Sequence, residues 1–208
     1  MSERMTRQHL ADATVFLREF VRAPLLTASV VPSSRVLADH IAAPVPPQGD
    51  PVVVELGPGT GTITVAIQRR LGGRGRHLAI ELSPRLAAVV RQRCPEVEVI
   101  CADVAELPGI LAERRLTADV IVSALPWAAL RATHPRSLPR VLAGVLRGDG
   151  VLCQLGYAAT RFAPPARRQL ADLRSAFEEV RVSRPVWRNL PPALTYLARR
   201  PRRPGRRS

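Results

Sequence analysis

From residue 50 onward, short β-rich apolar runs alternate with longer segments of helical spacing, with Gly, Pro or Asp at the joins. The runs are Val52-Val53-Val54-Glu55-Leu56, His77-Leu78-Ala79-Ile80-Glu81, Val97-Glu98-Val99-Ile100, Asp119-Val120-Ile121-Val122-Ser123 and Val151-Leu152-Cys153-Gln154-Leu155. Several are apolar on both faces, as strands of a parallel sheet covered on both sides must be. Between them the spacing predicts helices over 62–71, 84–93, 105–115, 135–147 and 164–175. This pattern predicts a doubly wound α/β fold, a single Rossmann-like sheet with helices on both faces. Two further runs, 177–182 and 193–198, are joined by Pro185 to Pro192 and predict a terminal hairpin closing a seven-stranded sheet. Before residue 50, Leu10, Ala13, Leu17, Phe20 and Val21 share one helical face, with Arg7, Arg18 and Arg22 off it and Pro24 as the stop. A second helix is expected from Arg35, with a serine of Ser33-Ser34 as its cap.

A chain of 208 residues supports one domain with a sizeable core. Its 31 basic residues are all arginine, against 17 acidic ones, for a formal net charge of +14. Without lysine there is no Schiff-base amine and no P-loop lysine, which excludes pyridoxal chemistry and Walker-type nucleotide hydrolysis. Six arginines fall within 199–208, and such a run reads as a solvated tail. The remaining charge, about +8, still favours an anionic partner, either nucleic acid or an anionic membrane surface. Cys94, Cys101 and Cys153 form no CxxC pair and read as small apolar residues of a reducing compartment. No apolar run reaches membrane-spanning length and no signal peptide is visible, so a cytoplasmic protein is expected.

The densest motif leaves the first run as Glu55-Leu56-Gly57-Pro58-Gly59-Thr60-Gly61-Thr62. Three alternate glycines allow a tight turn and close approach of a ligand, and the following helix offers free N–H groups. The spacing is GxGxG rather than the dinucleotide GxGxxG. A Glu55 carboxylate over the loop would repel a pyrophosphate and attract an ammonium group, which favours the amino-acid end of S-adenosylmethionine over NAD. The second run ends in Glu81-Leu82, where an acid can accept both hydroxyls of a ribose. The third ends in Asp103-Val104, where the carboxylate can accept from an adenine amino group and the Val104 N–H can donate. The fourth ends in Ser123-Ala124-Leu125-Pro126-Trp127, where a methyl acceptor would meet the sulfonium and the Trp127 ring could face it. Tyr157, after the fifth run, is a second aromatic for the same cleft. His134 is a candidate base, and no His/Cys cluster has metal-ligand spacing.

On these strings the chain resembles class I S-adenosylmethionine-dependent methyltransferases over residues 50 to 200. Further strings carry a narrower resemblance to bacterial phospholipid N-methyltransferases, which are grouped with the rRNA adenine dimethyltransferase-like proteins. They are Phe16 to Leu25, Val30-Val31-Pro32-Ser33-Ser34-Arg35, Ser123-Ala124-Leu125-Pro126 and Arg188-Asn189-Leu190-Pro191-Pro192-Ala193. The resemblance implies methylation of the amino headgroup of phosphatidylethanolamine or its methylated forms. The 8–22 helix would then lie on an anionic bilayer, which makes the enzyme peripheral at the inner face of the membrane. It also implies residues 1–48 as N-terminal helices that can lie at the membrane interface and cap the acceptor site, and 49–200 as the cofactor-binding domain, with 201–208 as the disordered tail that the arginine run predicts. Glu55, Gly57, Pro58, Gly59, Thr60, Gly61, Glu81, Leu82, Asp103, Val104 and Ser123 would hold the cofactor. Leu125, Pro126, Trp127, Tyr157 and His134 would border the acceptor. The alternative acceptors are a nucleic-acid adenine and a small molecule. Against adenine, Ala124 stands where an Asn or Asp would take the exocyclic amine, with only Ser123 to replace it, and no separate RNA-binding domain follows residue 200. Methyl transfer is an in-line displacement on an activated carbon, so the protein's part is alignment and desolvation.

Overall fold

The computed structural model describes residues 34–127 and 137–203. Ser34 Oγ accepts the Leu37 N–H at 3.2 Å and opens α1 (Arg35–Ala42), as the sequence predicts. The chain continues through β1 (Val52–Leu56), α2 (Thr62–Leu71), β2 (Arg76–Glu81), α3 (Pro84–Arg93) and β3 (Glu98–Cys101). A 3-10 turn over Val104–Glu106 leads into α4 (Leu107–Glu113) and β4 (Ala118–Ser123). Then come α5 (Leu138–Val145), β5 (Leu146–Tyr157), α6 (Pro164–Ala176), β6 (Phe177–Val182) and β7 (Ala193–Pro201). The expected helix over 105–115 is shorter because Asp103 and Glu106 cap each other's backbone N–H groups ahead of it, and Arg115 turns left-handed at its end (φ 53). The expected helix to 147 stops at Val145 because Leu146 is already paired with Ala118 of β4.

Among the described residues, seven strands form one sheet in the order β3-β2-β1-β4-β5-β7-β6. The first five are parallel, and β7 runs antiparallel to both neighbours. The last two strands pair as expected, but β7 enters between β5 and β6, so β6 takes the edge. Strand alternation sorts the core into two layers. Val54, Leu56, Leu78, Ile80, Ile121 and Leu152 meet α4, α5 and α6 through Leu107, Leu111, Leu142 and Leu173. Val53, Val120, Val122 and Cys153 face α1 and α2 through Ala38, Ile41, Ile63 and Ile67. Each fully buried Leu or Ile in these layers contributes on the order of 2 kcal/mol. The part of 1–48 that is described, α1, is therefore built into the sheet's own core.

The arginine-rich end departs from the expected solvated tail. β7 carries Arg199 opposite Val151 and Glu179, and Pro201 opposite Phe177. Beyond it the Arg202 N–H donates to Ala176 O at 2.8 Å. A strand held by ladders on both sides can tolerate charged side chains on its exposed positions, and charge density alone does not register that. The ordered unit thus passes the expected boundary at 200. Residues 204–208 lie outside the described residues, as do the 8–22 segment and His134.

Candidate cofactor and acceptor site

The reversal of connection between β1 and β4 opens a crevice at the carboxyl ends of the strands, the usual ligand position in such sheets. The glycine loop lies there. Gly57, Gly59 and Gly61 have φ of 70, 58 and 84°, which only glycine adopts without strain. The Gly57 N–H donates to Ile80 O and the Gly61 N–H to Pro58 O, both at 2.9 Å, so the buried Pro58 closes the turn. A Cβ on Gly57 would come within 2.6 Å of Leu125 Cδ2, which places the strand-four loop directly against the glycine loop. A Cβ on Gly59 would meet nothing within 4 Å, so the loop is open on that side. Exposed Thr60 lends its carbonyl to Arg93 Nη1 at 2.8 Å.

Glu81 joins the same site from β2. One carboxylate oxygen accepts the Gly59 N–H at 3.2 Å and the other accepts the Ser83 N–H at 3.0 Å. Burial pushes its pKa above the usual 4.5, and the Ser83 and Gly59 N–H groups pull the other way. Leu82, the next residue, is partly buried and lends its carbonyl to Cys101 Sγ. Asp103 Oδ1 accepts the Ala105 N–H at 2.8 Å, so this carboxylate shapes the turn after β3. Val104 is the first residue of the 3-10 turn, where the N–H has no partner within the helix, while its side chain packs into the core.

Glu55 does not overhang the loop. Alternation along β1 sends its side chain to the α2 face, fully buried, where Oε2 lies 3.3 Å from His77 Nε2. His77 pairs with Val53, so the carboxylate leans back toward the amino ends of the strands. His77 Nδ1 in turn meets Gln68 Nε2 at 2.9 Å. Neither carboxylate oxygen of Glu55 makes a well-aligned hydrogen bond. The expected contact with an ammonium group is corrected accordingly: the carboxylate sits in the protein interior.

The strand-four motif likewise departs from the expectation that the Trp127 ring faces the acceptor. Trp127 is only 6% exposed and packs in the main core, with Nε1 donating to Ser123 Oγ at 3.1 Å. Ser123 is fully buried and also accepts the Leu125 N–H at 3.4 Å, so its hydroxyl fixes this turn. A ring held in this way offers no face to an acceptor. Leu125 borders the glycine loop at Gly57, and Pro126 beside it is partly buried. Tyr157 closes β5 opposite Ala193, half-buried, and burial raises its phenol above the usual 10. At neutral pH such a phenol is a hydrogen-bond donor and not a proton acceptor.

Three residues to which the sequence assigned no site role hold the surroundings of the site together. Gln154, opposite Ser123 in the sheet, donates from Nε2 to Leu125 O at 2.9 Å and holds the strand-four loop. Asn189 Oδ1 accepts the Ser34 N–H at 2.8 Å, and Asn189 Nδ2 donates to Pro191 O at 2.8 Å. Thr195 Oγ1 meets His40 Nε2 at 3.3 Å. Ser34 of the 30–35 string and Asn189 of the 188–193 string thus meet in space although 155 positions apart. Their shared resemblance to one family was the only signal in the sequence that could have paired them.

Residues 53–150 match the family described as a methyltransferase domain. Over 194 residues the chain is 32% identical to an ornithine lipid N-methyltransferase of Singulisphaera acidiphila, covering 91% of this chain and 97% of that protein. The chain belongs to the class I S-adenosylmethionine-dependent methyltransferases. A shorter match, 42% identical over 82 residues, links 36% of this methyltransferase to 19% of a dimethyladenosine transferase of Chaetomium thermophilum. The fold is shared with an S-adenosylmethionine-dependent O-methyltransferase of Thermotoga maritima. That structure has a TM-score of 0.61 and 14% identity, and the likeness covers 89% of this chain and 73% of that one.

The residues present suit the cofactor of this family. The open side of Gly59 leaves room against the backbone, and α2 begins directly behind it at Thr62. Each Glu81 oxygen accepts one backbone N–H and retains a lone pair for a ribose hydroxyl. When bound, S-adenosylmethionine supplies a methyl carbon already activated by the sulfonium. Gly57, Gly59 and Glu81 would then hold the ligand, and Leu125, which packs against Gly57, would border the acceptor side. Among the described residues, no group of three or more His, Cys, Asp or Glu is placed to hold a metal ion.

Proposed function

We propose that this methyltransferase transfers methyl groups to the amino headgroup of a membrane lipid, acting peripherally at the inner face of the membrane. The supporting observation is the near full-length similarity to a lipid N-methyltransferase, which extends beyond the catalytic sheet that many methyltransferases share. Phosphatidylethanolamine, its methylated forms and an ornithine lipid are the acceptors of this class. The adenine reading needs an aromatic face and a free polar group at the start of the strand-four loop. Trp127 is buried, and Ser123 Oγ is committed to Trp127 and Leu125. No helix among the described residues is long and apolar enough to cross a membrane.

The test is incubation with methyl-labelled S-adenosylmethionine and, separately, detergent-dispersed phosphatidylethanolamine, ornithine lipid, total rRNA and small amines. Label is expected in a lipid amine. Label found only in RNA would sink the lipid reading.

A further inference from the structure

Two loops rise from the end of the sheet that carries the glycine loop. The first, 158–163, leaves β5 after Tyr157, and the second, 183–192, returns the chain into β7 at Ala193, opposite Tyr157. Their bases are tied together, since the Ala158 N–H donates to Pro192 O at 2.9 Å, and the second loop is pinned to β7 by the bridge of Val186 with Ala193. Their tips carry the most exposed large apolar side chains among the described residues: Phe162 at 73%, Trp187 at 75% and Leu190 at 78%. Such side chains in water are a cost without a function in the isolated protein.

The charge around them is of one sign. Arg161, Arg184 and Arg188 lie in the two loops, which contain no Asp or Glu. The Arg161 guanidinium lies 4.3 Å from the centre of the Phe162 ring. Exposed aromatics beside arginines, free of carboxylates, match the headgroup zone of an anionic bilayer, where rings enter the acyl boundary and guanidinium groups meet phosphate. The second loop also receives the chain from its amino-terminal side, because Asn189 holds the Ser34 N–H. The segment 8–22, with its apolar stripe, lies upstream of that point in sequence.

Building on the lipid-acceptor reading, we propose that Phe162, Trp187 and Leu190, with Arg161, Arg184 and Arg188, form a docking surface for an anionic lipid bilayer. Docking through these tips turns the carboxyl ends of the strands toward the membrane, so a headgroup reaches the crevice without the lipid leaving the bilayer. A nucleic acid would be served by the arginines but gains little from Leu190 and Phe162 at the tips.

Trp127 and Trp187 are the two tryptophans of the chain, and Trp127 is buried. Buried Trp127 also emits but is shielded from lipid and quencher, so a change in emission on adding vesicles reports on Trp187. With vesicles of phosphatidylglycerol and phosphatidylethanolamine, its emission should shift to the blue and be quenched by brominated lipids. Phosphatidylcholine vesicles should have a much smaller effect. The double variant Phe162→Ser, Trp187→Ser should lose about tenfold or more in vesicle partitioning, the scale of keeping two rings in water. Its methylation of detergent-dispersed lipid should match the parent.

Unchanged partitioning of that variant overturns the docking surface. So does a Trp187 already shielded from acrylamide that becomes accessible when residues 1–22 are deleted, for then the chain's own amino-terminal segment is the occupant. A response to rRNA with none to vesicles assigns the surface to nucleic acid. Failure of the lipid reading is separate and shows as absence of label in detergent-dispersed lipid, whatever the vesicle data give.

Discussion

Glu81 has two demands on one carboxylate. It holds the glycine loop through the Gly59 N–H, and it is the acid expected to accept the ribose of the cofactor. Desolvation raises its pKa above the usual 4.5, so protonation begins at a higher pH than for an exposed glutamate. The acceptor form is the ionised one. Cofactor affinity should therefore be full at neutral pH and fall as pH drops through a midpoint above 4.5, as calorimetric titration across pH would record. Glu81→Gln should weaken binding at pH 7 by about tenfold or more, because one charge-assisted hydrogen bond is worth ~1.5–3 kcal/mol, and should flatten that pH dependence. Equal affinity for parent and variant at pH 7 would remove Glu81 from the ribose role. Glu55 illustrates the limit of reading at this scale. Its place before the loop is plain in the sequence, but which face of β1 it takes follows from strand alternation against His77.

At the scale of elements, the contact between α1 and the β6–β7 loop is the one that motif reading could not reach. Asn189 satisfies the Ser34 N–H with its Oδ1 and Pro191 O with its Nδ2, and is itself nearly buried. Asn189→Ala leaves both backbone groups short of a partner, at a cost of about 1–3 kcal/mol. The expected outcome is a lower unfolding midpoint in urea with an unchanged slope, together with faster amide exchange at the start of α1. An exchange rate at Ser34 to Leu37 equal to the parent's would show that the helix is held by its apolar face alone. The Ser34 cap and the bounds of β1, α2, α3 and β6 were legible beforehand, because capping and apolar periodicity are local signals. The ends of α4 and α5 were not, because a capping box and a pairing with β4 decide them.

For the molecule as a whole, the net charge of +14 divides differently from its distribution in sequence. Arg199 and Arg200 belong to β7, a strand paired on both sides, and Arg202 is bonded back to Ala176 and Phe177. Ending the chain after Ala198 should lower Tm by several degrees, since about 1–3 kcal/mol of pairing and packing over Phe177 is lost. A Tm equal to the parent's, measured by calorimetry, would return these residues to a solvated tail. Arg161 lies beside Phe162 in one loop and Arg184 and Arg188 lie in another, and the antiparallel return of β7 brings the two loops to the same end of the sheet. The sequence by itself determined the α/β class, the glycine loop, the acid that ends β2 and the one just after β3, and membership of a methyltransferase family, because each is written in residues close along the chain. The tertiary structure alone decided that Glu55 and Trp127 turn inward, that Ser34 meets Asn189, and that Phe162 and Trp187 share one end of the sheet. Each of those depends on which strand lies beside which, and so on contacts between residues far apart in sequence.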